Sequence, residues 1–135
     1  MSSAHETVVR DLLAAIEAEA PVEAVAAFWH PDAEQVEYPS AIRPTGSRRP
    51  LADMLAASEQ GAGLLSAQSY DVVSYLEQGD TAAVQLTWRG TLAVSMGNVP
   101  AGSELVAHVG AFYAFASDGR IARQSSYDCY EPFPA

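Results

Sequence analysis

The segment AFYAFASDGRIARQSSYDCYEPF, Ala111–Phe133, holds two runs of alternating residues separated by the turn signal Ser-Asp-Gly. Alternation with a period of two predicts β-strands, and a short Asp-Gly turn between them predicts an antiparallel hairpin. In the second run every other residue is polar, namely Gln124, Ser126 and Asp128. Which surface these three side chains face decides what the fold could do.

The period of two extends back to about Leu64. SYDVVSYLE and TAAVQLTWRGTLAV, joined by Gly-Asp, predict one hairpin, and LVAHVGAFYAFA predicts the strand that precedes the Ser-Asp-Gly turn. In TAAVQLTWRGTLAV the apolar residues predict a buried face and the polar ones an exposed face. The apolar set is Val84, Leu86, Trp88, Leu92 and Val94, and the polar set is Gln85, Thr87, Arg89 and Thr91.

The first half of the chain has helical periodicity instead. Apolar residues at helical spacing predict a helix over 6–20, a second from Pro21 to Trp29 and a third from about Pro50 to Gln60. EQVEYP predicts a short strand, and SAIRPTGSRRP has the composition of a loop. Helices followed by long strands indicate an α+β domain in which the helices cover one face of a curved sheet.

The length and the net charge of the chain narrow the range of possible partners and functions. A chain of 135 residues that is 49% hydrophobic predicts a single domain over residues 1–135. The formal charge of −10 repels phosphate backbones and anionic lipids, so we expect neither nucleic acid nor a membrane as a partner. No apolar run approaches a membrane span or a secretion signal, and there is one cysteine, Cys129, so we expect a cytoplasmic protein.

A family resemblance rests on the order of these parts. The helix pair, HPDAEQVEYP, the third helix and the strands closing with the quoted segment resemble the nuclear-transport-factor-2-like (NTF2-like) superfamily, in particular its SnoaL-like members, over essentially the whole chain. The resemblance implies a cone in which a bent antiparallel sheet wraps three N-terminal helices around an internal pocket. It also implies pairing of the sheet with a second copy. Members include ketosteroid isomerases, polyketide cyclases, epoxide hydrolases, dehydratases and non-catalytic binding modules, so the fold does not choose the function.

Two hairpin registers are open, and strand parity makes the choice between them all or none. If the turn resembles that of ketosteroid isomerases, Gln124, Ser126 and Asp128 point into the cone with Tyr113, while His108 lies outside. A three-residue loop with a bulge at Gly119 would instead bring His108 alongside Asp128. His108 resembles a pocket histidine of polyketide cyclases in position, which makes it a candidate substrate contact.

Asp128 is the leading candidate for catalysis. An apolar pocket disfavours an ionised carboxyl and raises its pKa towards the range of a general acid or base. Tyr38 resembles the position of the proton-shuttling aspartate of ketosteroid isomerases, and its phenol could donate a hydrogen bond to a developing oxyanion. Alternatively, Asp128 lies at the pocket mouth with a structural partner, and Tyr38 only buries its ring.

Aromatic and neutral polar residues complete the candidate site. Trp29, Trp88 and Tyr113 would supply walls for a flat ligand, although core packing is the simpler explanation of each tryptophan taken alone. Gln124 and Ser126 would orient the ligand, because buried polar groups need partners.

The sequence has no motif for metal binding, nucleotide binding or covalent catalysis. The histidines are scattered with no ligand pair, so we expect no metal, and HPD at 30–32 is interpreted as a helix stop. Nucleotide loops and nucleophile elbows are absent from the sequence, so we expect no cofactor and no covalent intermediate. The hypothesis is a cyclase, isomerase or dehydratase type of enzyme acting on an apolar carbonyl or hydroxyl compound. The alternatives are a non-catalytic metabolite-binding protein and a dimeric protein-interaction module.

Overall fold

A computed structural model describes residues 3–134. The helices are α1 (Ala4–Glu17), α2 (Val22–Ala26) and α3 (Leu51–Gln60). The strands are β1 (Trp29–Glu37), β2 (Ser47–Pro50), β3 (Leu65–Gln78), β4 (Thr81–Leu92), β5 (Glu104–Phe115) and β6 (Ile121–Tyr130). This order confirms the α+β class predicted from the sequence.

The six strands form one curved, unclosed sheet in the order β2-β1-β6-β5-β4-β3. Most neighbours are antiparallel, but β1 runs parallel to β6. The expectation of a wholly antiparallel sheet is therefore wrong. The parallel pair forms because β1 follows the helices and docks directly against the last strand of the chain, which brings residues far apart in sequence side by side.

The helices lie against the concave face of the sheet, called the inner face below. Helix α1 begins at Ser3, whose side chain accepts a hydrogen bond from the Glu6 backbone N–H. Its apolar stripe, Val9, Leu12 and Leu13, is buried against inward residues of β4, β5 and β6. None of the helices within residues 3–134 is long and apolar enough to cross a membrane.

A second, smaller apolar cluster fills the other end of the sheet. It consists of Leu92, Val99 and Leu105, with Ile42 and Phe133 packed against it. Trp88 contacts both this second cluster and the main core. Two apolar clusters therefore lie on the inner face, and the polar residues described next lie beside them on β2, β1 and β6.

Two elements differ from the sequence prediction. Helix α2 ends at Ala26, and Trp29 begins β1, so HPD at 30–32 lies in a strand rather than at a helix stop. Pro31 is tolerated because the β1–β6 register shifts between Trp29 and Glu34, where no N–H is needed for pairing. Strand β2 lies in the predicted loop, since its residues carry no alternation and form a strand only by pairing with β1.

The alternation in β4 is confirmed. Val84, Leu86 and Leu92 are buried, whereas Gln85 and Arg89 are exposed. Val94 is the exception, because it lies beyond the end of β4 and is 50% exposed.

Candidate functional site

The β5–β6 hairpin register determines the site. Val109 pairs with Asp128, Ala111 with Ser126 and Tyr113 with Gln124. Opposite residues in a ladder share a face, and Ala111 and Tyr113 lie in the main core. The three polar residues of β6 therefore face inward, which confirms the first of the two registers. A shift in pairing between Ala114 and Phe115 sets this register.

Strands β1 and β2 add more polar side chains to the same face. Gln35 pairs with Gln124 and Glu37 with Ser126, while Ser47 lies opposite Glu37 and Arg49 opposite Gln35. We call the seven inward polar residues of β2, β1 and β6 the polar wing. Its members are Gln35, Glu37, Ser47, Arg49, Gln124, Ser126 and Asp128. The inner face is thus divided into this polar wing and an apolar half on β4 and β5.

A hydrogen-bond chain orients Gln124. Gln35 Nε2 donates to Gln124 Oε1 at 2.8 Å, and Gln124 Nε2 donates to the Tyr113 hydroxyl oxygen at 3.1 Å. The amide of Gln124 is fixed by these two bonds, and Tyr113 keeps its own O–H proton for donation. Burial raises the pKa of Tyr113 to about 12, so this residue is a hydrogen-bond donor and not a base near neutral pH.

The two carboxyl groups of the polar wing have different surroundings. Glu37 is paired with two arginines, Arg43 Nε at 3.1 Å and Arg49 Nη1 at 3.6 Å. Burial raises the pKa of Asp128 above its ordinary value, and the nearby Glu37 raises it further, while Ser126 and Arg43 oppose the shift. The surroundings of Asp128 therefore favour the neutral form of its carboxyl more than water does.

An aromatic wall lies next to Asp128. The Trp88 and Tyr130 rings meet edge to face at 6.3 Å, and Trp88 Nε1 donates to Gln68 Oε1 at 3.0 Å. Burial and then Asp128 raise the pKa of Tyr130 to about 12. Burial also raises the pKa of Tyr70, with smaller contributions from Tyr113 and Asp128. Phenol groups from β3 and β6, Tyr70 and Tyr130, thus lie near one acid.

The region next to Asp128 is a cleft open to solvent. Asp128, Gln124 and Tyr130 are each half-buried, so the expectation of a dry, closed hollow is too strong. Two concavities lie elsewhere on the protein. One, of about 510 Å³, includes Leu76, Ala83 and Phe112 on the outer face. The other, of about 640 Å³, lies between 96–99 and Phe133.

Two candidate site residues lie on the outer face of the sheet. Tyr38 stacks on Tyr127, with ring centroids 4.4 Å apart, and Tyr127 is 48% exposed. His108 pairs with Cys129, and its Nε2 lies 2.8 Å from Glu131 Oε2. Both residues point outward because successive residues of a strand face opposite sides of the sheet. Glu37 faces inward next to Tyr38, and Val109 faces inward next to His108. Neither residue joins the cleft at Asp128.

The structure places Trp88, Tyr113, Gln124, Ser126 and Asp128 along the inner face of β4, β5 and β6, whereas Trp29 lies on β1. Trp29 is buried in the main core opposite Ile121, at the far end of β6 from Asp128. Its Nε1 has no hydrogen-bond partner among residues 3–134.

Sequence reasoning missed the inward residues Glu37, Tyr70 and Tyr130. The signal for Tyr130 was present, since it continues the parity of Ser126 and Asp128. Glu37 could be placed only with knowledge of the parallel pairing between β1 and β6.

Comparisons with known proteins agree with this architecture. The family model for the SnoaL-like domain matches residues 9–124. A similar solved structure is IdmH from Streptomyces antibioticus, a candidate polyketide cyclase, with 20% identity, a TM-score of 0.75 and coverage of 92% of this chain and 91% of that one. AclR from Streptomyces galilaeus, a candidate hydroxylase, has 21% identity, a TM-score of 0.72 and coverage of 92% and 74%.

An NTF2-like protein of unknown function from Burkholderia pseudomallei K96243 is also similar, with 17% identity, a TM-score of 0.75 and coverage of 94% and 92%. At these identities the likeness establishes the fold alone. A comparison with curated protein sequences finds no significant match.

Proposed function

Because the chain belongs to the family of SnoaL-like domains, whose model covers residues 9–124, we propose that it binds a small, largely apolar carbonyl or hydroxyl compound and acts on it by non-covalent acid/base chemistry. The reaction would be of the cyclase, isomerase or dehydratase type. The observation that carries the proposal is the half-buried Asp128 carboxyl on the inner face, near the phenols of Tyr70 and Tyr130 and on the same face as the oriented amide of Gln124.

Asp128 is proposed to move the proton. A carboxyl whose pKa is raised by burial and by Glu37 is a stronger base when ionised and remains available as an acid at higher pH than usual. It would take a proton from the carbon next to a carbonyl and return it to another atom of the same molecule.

The phenols are proposed to stabilise the oxygen that becomes negative during this transfer. Tyr113 has a free O–H proton, and burial keeps Tyr70 and Tyr130 protonated as well. These residues replace Tyr38 in that role, since Tyr38 lies on the outer face. Ser126 and Gln124 would orient the substrate, and Trp88 would cover its apolar body.

A non-catalytic metabolite-binding protein is the second candidate. It is favoured by the half-buried, solvent-open position of Asp128, since a carboxyl that water reaches can serve as a binding group without transferring a proton. Binding alone would use the same aromatic wall but would not require the raised pKa of Asp128.

The test uses 2-tetralone, a bicyclic ketone whose exchangeable carbon-bound protons are visible by NMR in deuterium oxide. Wild-type protein is expected to accelerate the exchange, and Asp128→Asn should lower this acceleration by about a hundredfold or more, the usual contribution of a general acid or base. Asp71→Asn is the matched control, because Asp71 is exposed.

Exchange by the wild-type protein no faster than by Asp128→Asn would contradict acid/base catalysis. If both proteins still bind 2-tetralone equally under those conditions, the non-catalytic binding function is supported instead.

The proposal includes a homodimer formed through the outer face of β4, β5 and β6. Outward positions in 81–89, 106–114 and 123–129 hold no Asp or Glu, although the chain has 17 acids in all. Phe112 and Tyr127 are 51% and 48% exposed there, and Leu76 beside them is 70% exposed. The centre of this face thus has no acid, and the acids at its border, Glu104 and Glu131, are paired with Arg89 and His108, which supports association of two copies without like-charge repulsion. A cytoplasmic location is also proposed, supported by the exposed free thiol of Cys129.

A further inference from the structure

The loop between β1 and β2 carries an arginine next to the cleft. The loop is held by backbone and side-chain hydrogen bonds around one residue, Arg43. Its N–H donates to Ser40 Oγ at 3.2 Å, and its carbonyl accepts from the N–H groups of Ser40 and Gly46, both at 2.9 Å. Three hydrogen bonds therefore fix the backbone from which the Arg43 side chain extends.

Two further contacts hold this loop close to the sheet. Ile42 packs against the second apolar cluster. Gly46 has φ +68°, and a Cβ there would lie 2.5 Å from the Glu37 carbonyl oxygen, so only glycine allows this close approach. Arg43 is thus presented by a structured arm rather than by a free loop.

The charge balance at Arg43 differs from that elsewhere on the protein. Other arginine ion pairs within residues 3–134 join one arginine to one acid, as in Arg10 with Glu6 and Arg89 with Glu104. Glu37 instead has two arginines, Arg43 and Arg49. Glu37, Arg43 and Arg49 therefore carry one positive charge in excess whenever the nearby Asp128 is protonated, on a chain of net charge −10.

The geometry of Arg43 leaves its guanidinium fork available. The ion pair to Glu37 uses Nε, and the terminal nitrogens of Arg43 make no other ion pair within the described part of the chain. A guanidinium recognises an anionic oxygen pair through parallel N–H groups. Arg43 also lies close enough to Asp128 and Tyr130 to oppose, in part, the rise in pKa that burial causes in both groups.

We infer that the substrate carries an anionic oxygen, either a carboxylate or an ionised phenol or enol, and that Arg43 binds it while the apolar body lies against Trp88 and Tyr130. This inference rests on the proposed function and adds the class of substrate. The proposed function requires that the protein bind a neutral ketone. The role of Arg43 requires, in addition, that the protein bind an anion more tightly than that ketone.

The test compares three naphthalene probes by quenching of tryptophan fluorescence. 2-Acetylnaphthalene is the neutral ketone, 2-naphthoate supplies a carboxylate, and 2-naphthol supplies a phenol whose ionisation on binding appears in its absorbance. Wild-type protein should bind at least one anion about tenfold more tightly than the ketone, consistent with charge-assisted hydrogen bonds. If 2-naphthoate binds more tightly than the ketone, the anionic oxygen is a carboxylate. If 2-naphthol binds more tightly, it is an ionised phenol or enol.

Arg43→Gln should remove that preference, weakening anion binding about tenfold and leaving the ketone within about twofold. Arg49→Gln, which removes the other partner of Glu37, should keep the preference. Arg89→Gln is the matched control, because it removes an arginine paired with an acid on the outer face. Salt should weaken anion binding to wild type more than to Arg43→Gln.

Equal effects of Arg43→Gln on the ketone and the anions, or no effect on either, would overturn the inference and leave the proposed function standing. Failure of all three probes to bind the wild-type protein would overturn both.

Discussion

At the residue scale, one acid and its neighbours account for the proposed chemistry. Asp128 is placed inward by parity, is half-buried, and has Glu37 nearby, so its environment disfavours ionisation. Glu37 has two arginine partners while Asp128 makes no ion pair within residues 3–134. Two similar carboxyl groups are thus given different roles by their surroundings.

The inward direction of Asp128 was predictable from the sequence, whereas the position of Tyr38 on the outer face was not. Alternation in RQSSYDCYE limits β6 to two orientations, and the family resemblance favours the one observed. The family resemblance placed Tyr38 one residue away from the inward position of β1. A shift of one residue moves a side chain to the opposite face of the sheet, so Glu37 points inward and Tyr38 points outward.

A single methyl group tests the packing of the aromatic wall. The Trp88 ring lies over Gly90, so that a Cβ at Gly90 would overlap the ring. Gly90→Ala should displace Trp88 and destabilise the protein by about 1–3 kcal/mol, the usual cost of overpacking. Urea unfolding followed by tryptophan fluorescence measures both effects.

Gly110→Ala is the matched control, because Gly110 is also in a strand but a Cβ there meets nothing within 4 Å. Its stability change should stay within about 0.5 kcal/mol. Equal behaviour of the two variants would refute the close packing of Trp88 on Gly90.

At the scale of elements, strong apolar periodicity correctly predicted helices and strands, whereas the pairing between distant strands could not be predicted. Helix α1 and strands β3, β4, β5 and β6 follow from their apolar spacing, since each buries one face against the core. The edge strand β2 and the start of β1 depend on backbone partners from other parts of the chain, which no local pattern encodes. The polar wing was only partly predictable for the same reason, because four of its seven residues lie on β1 and β2.

At the scale of the whole molecule, the sheet has two faces with different proposed tasks. The inner face carries the cleft at Asp128, and the outer face of β4, β5 and β6 carries the acid-free surface around Phe112. A dimer through the outer face would leave the Arg43 arm uncovered, because Arg43 belongs to the β1–β2 loop near the second apolar cluster.

Phe112→Asp tests the dimer by introducing a charge into the proposed interface. Sedimentation velocity should give a dimer for wild type and a monomer for the variant, since an unpaired buried charge is strongly unfavourable at an interface. Val94→Asp is the matched control, because Val94 is also half-exposed but lies beyond β4, and it should remain dimeric. A wild-type monomer at tens of micromolar would contradict the dimer.

The most direct test of the account is a carbon-13 NMR titration of the Asp128 carboxyl in the wild-type protein and in Glu37→Gln. We predict a midpoint above the ordinary value of 3.8 in the wild type, and a lower midpoint in the variant, because it removes a negative neighbour and frees Arg43. A wild-type midpoint at or below 3.8 would show Asp128 to be an ordinary solvated acid and would contradict the account.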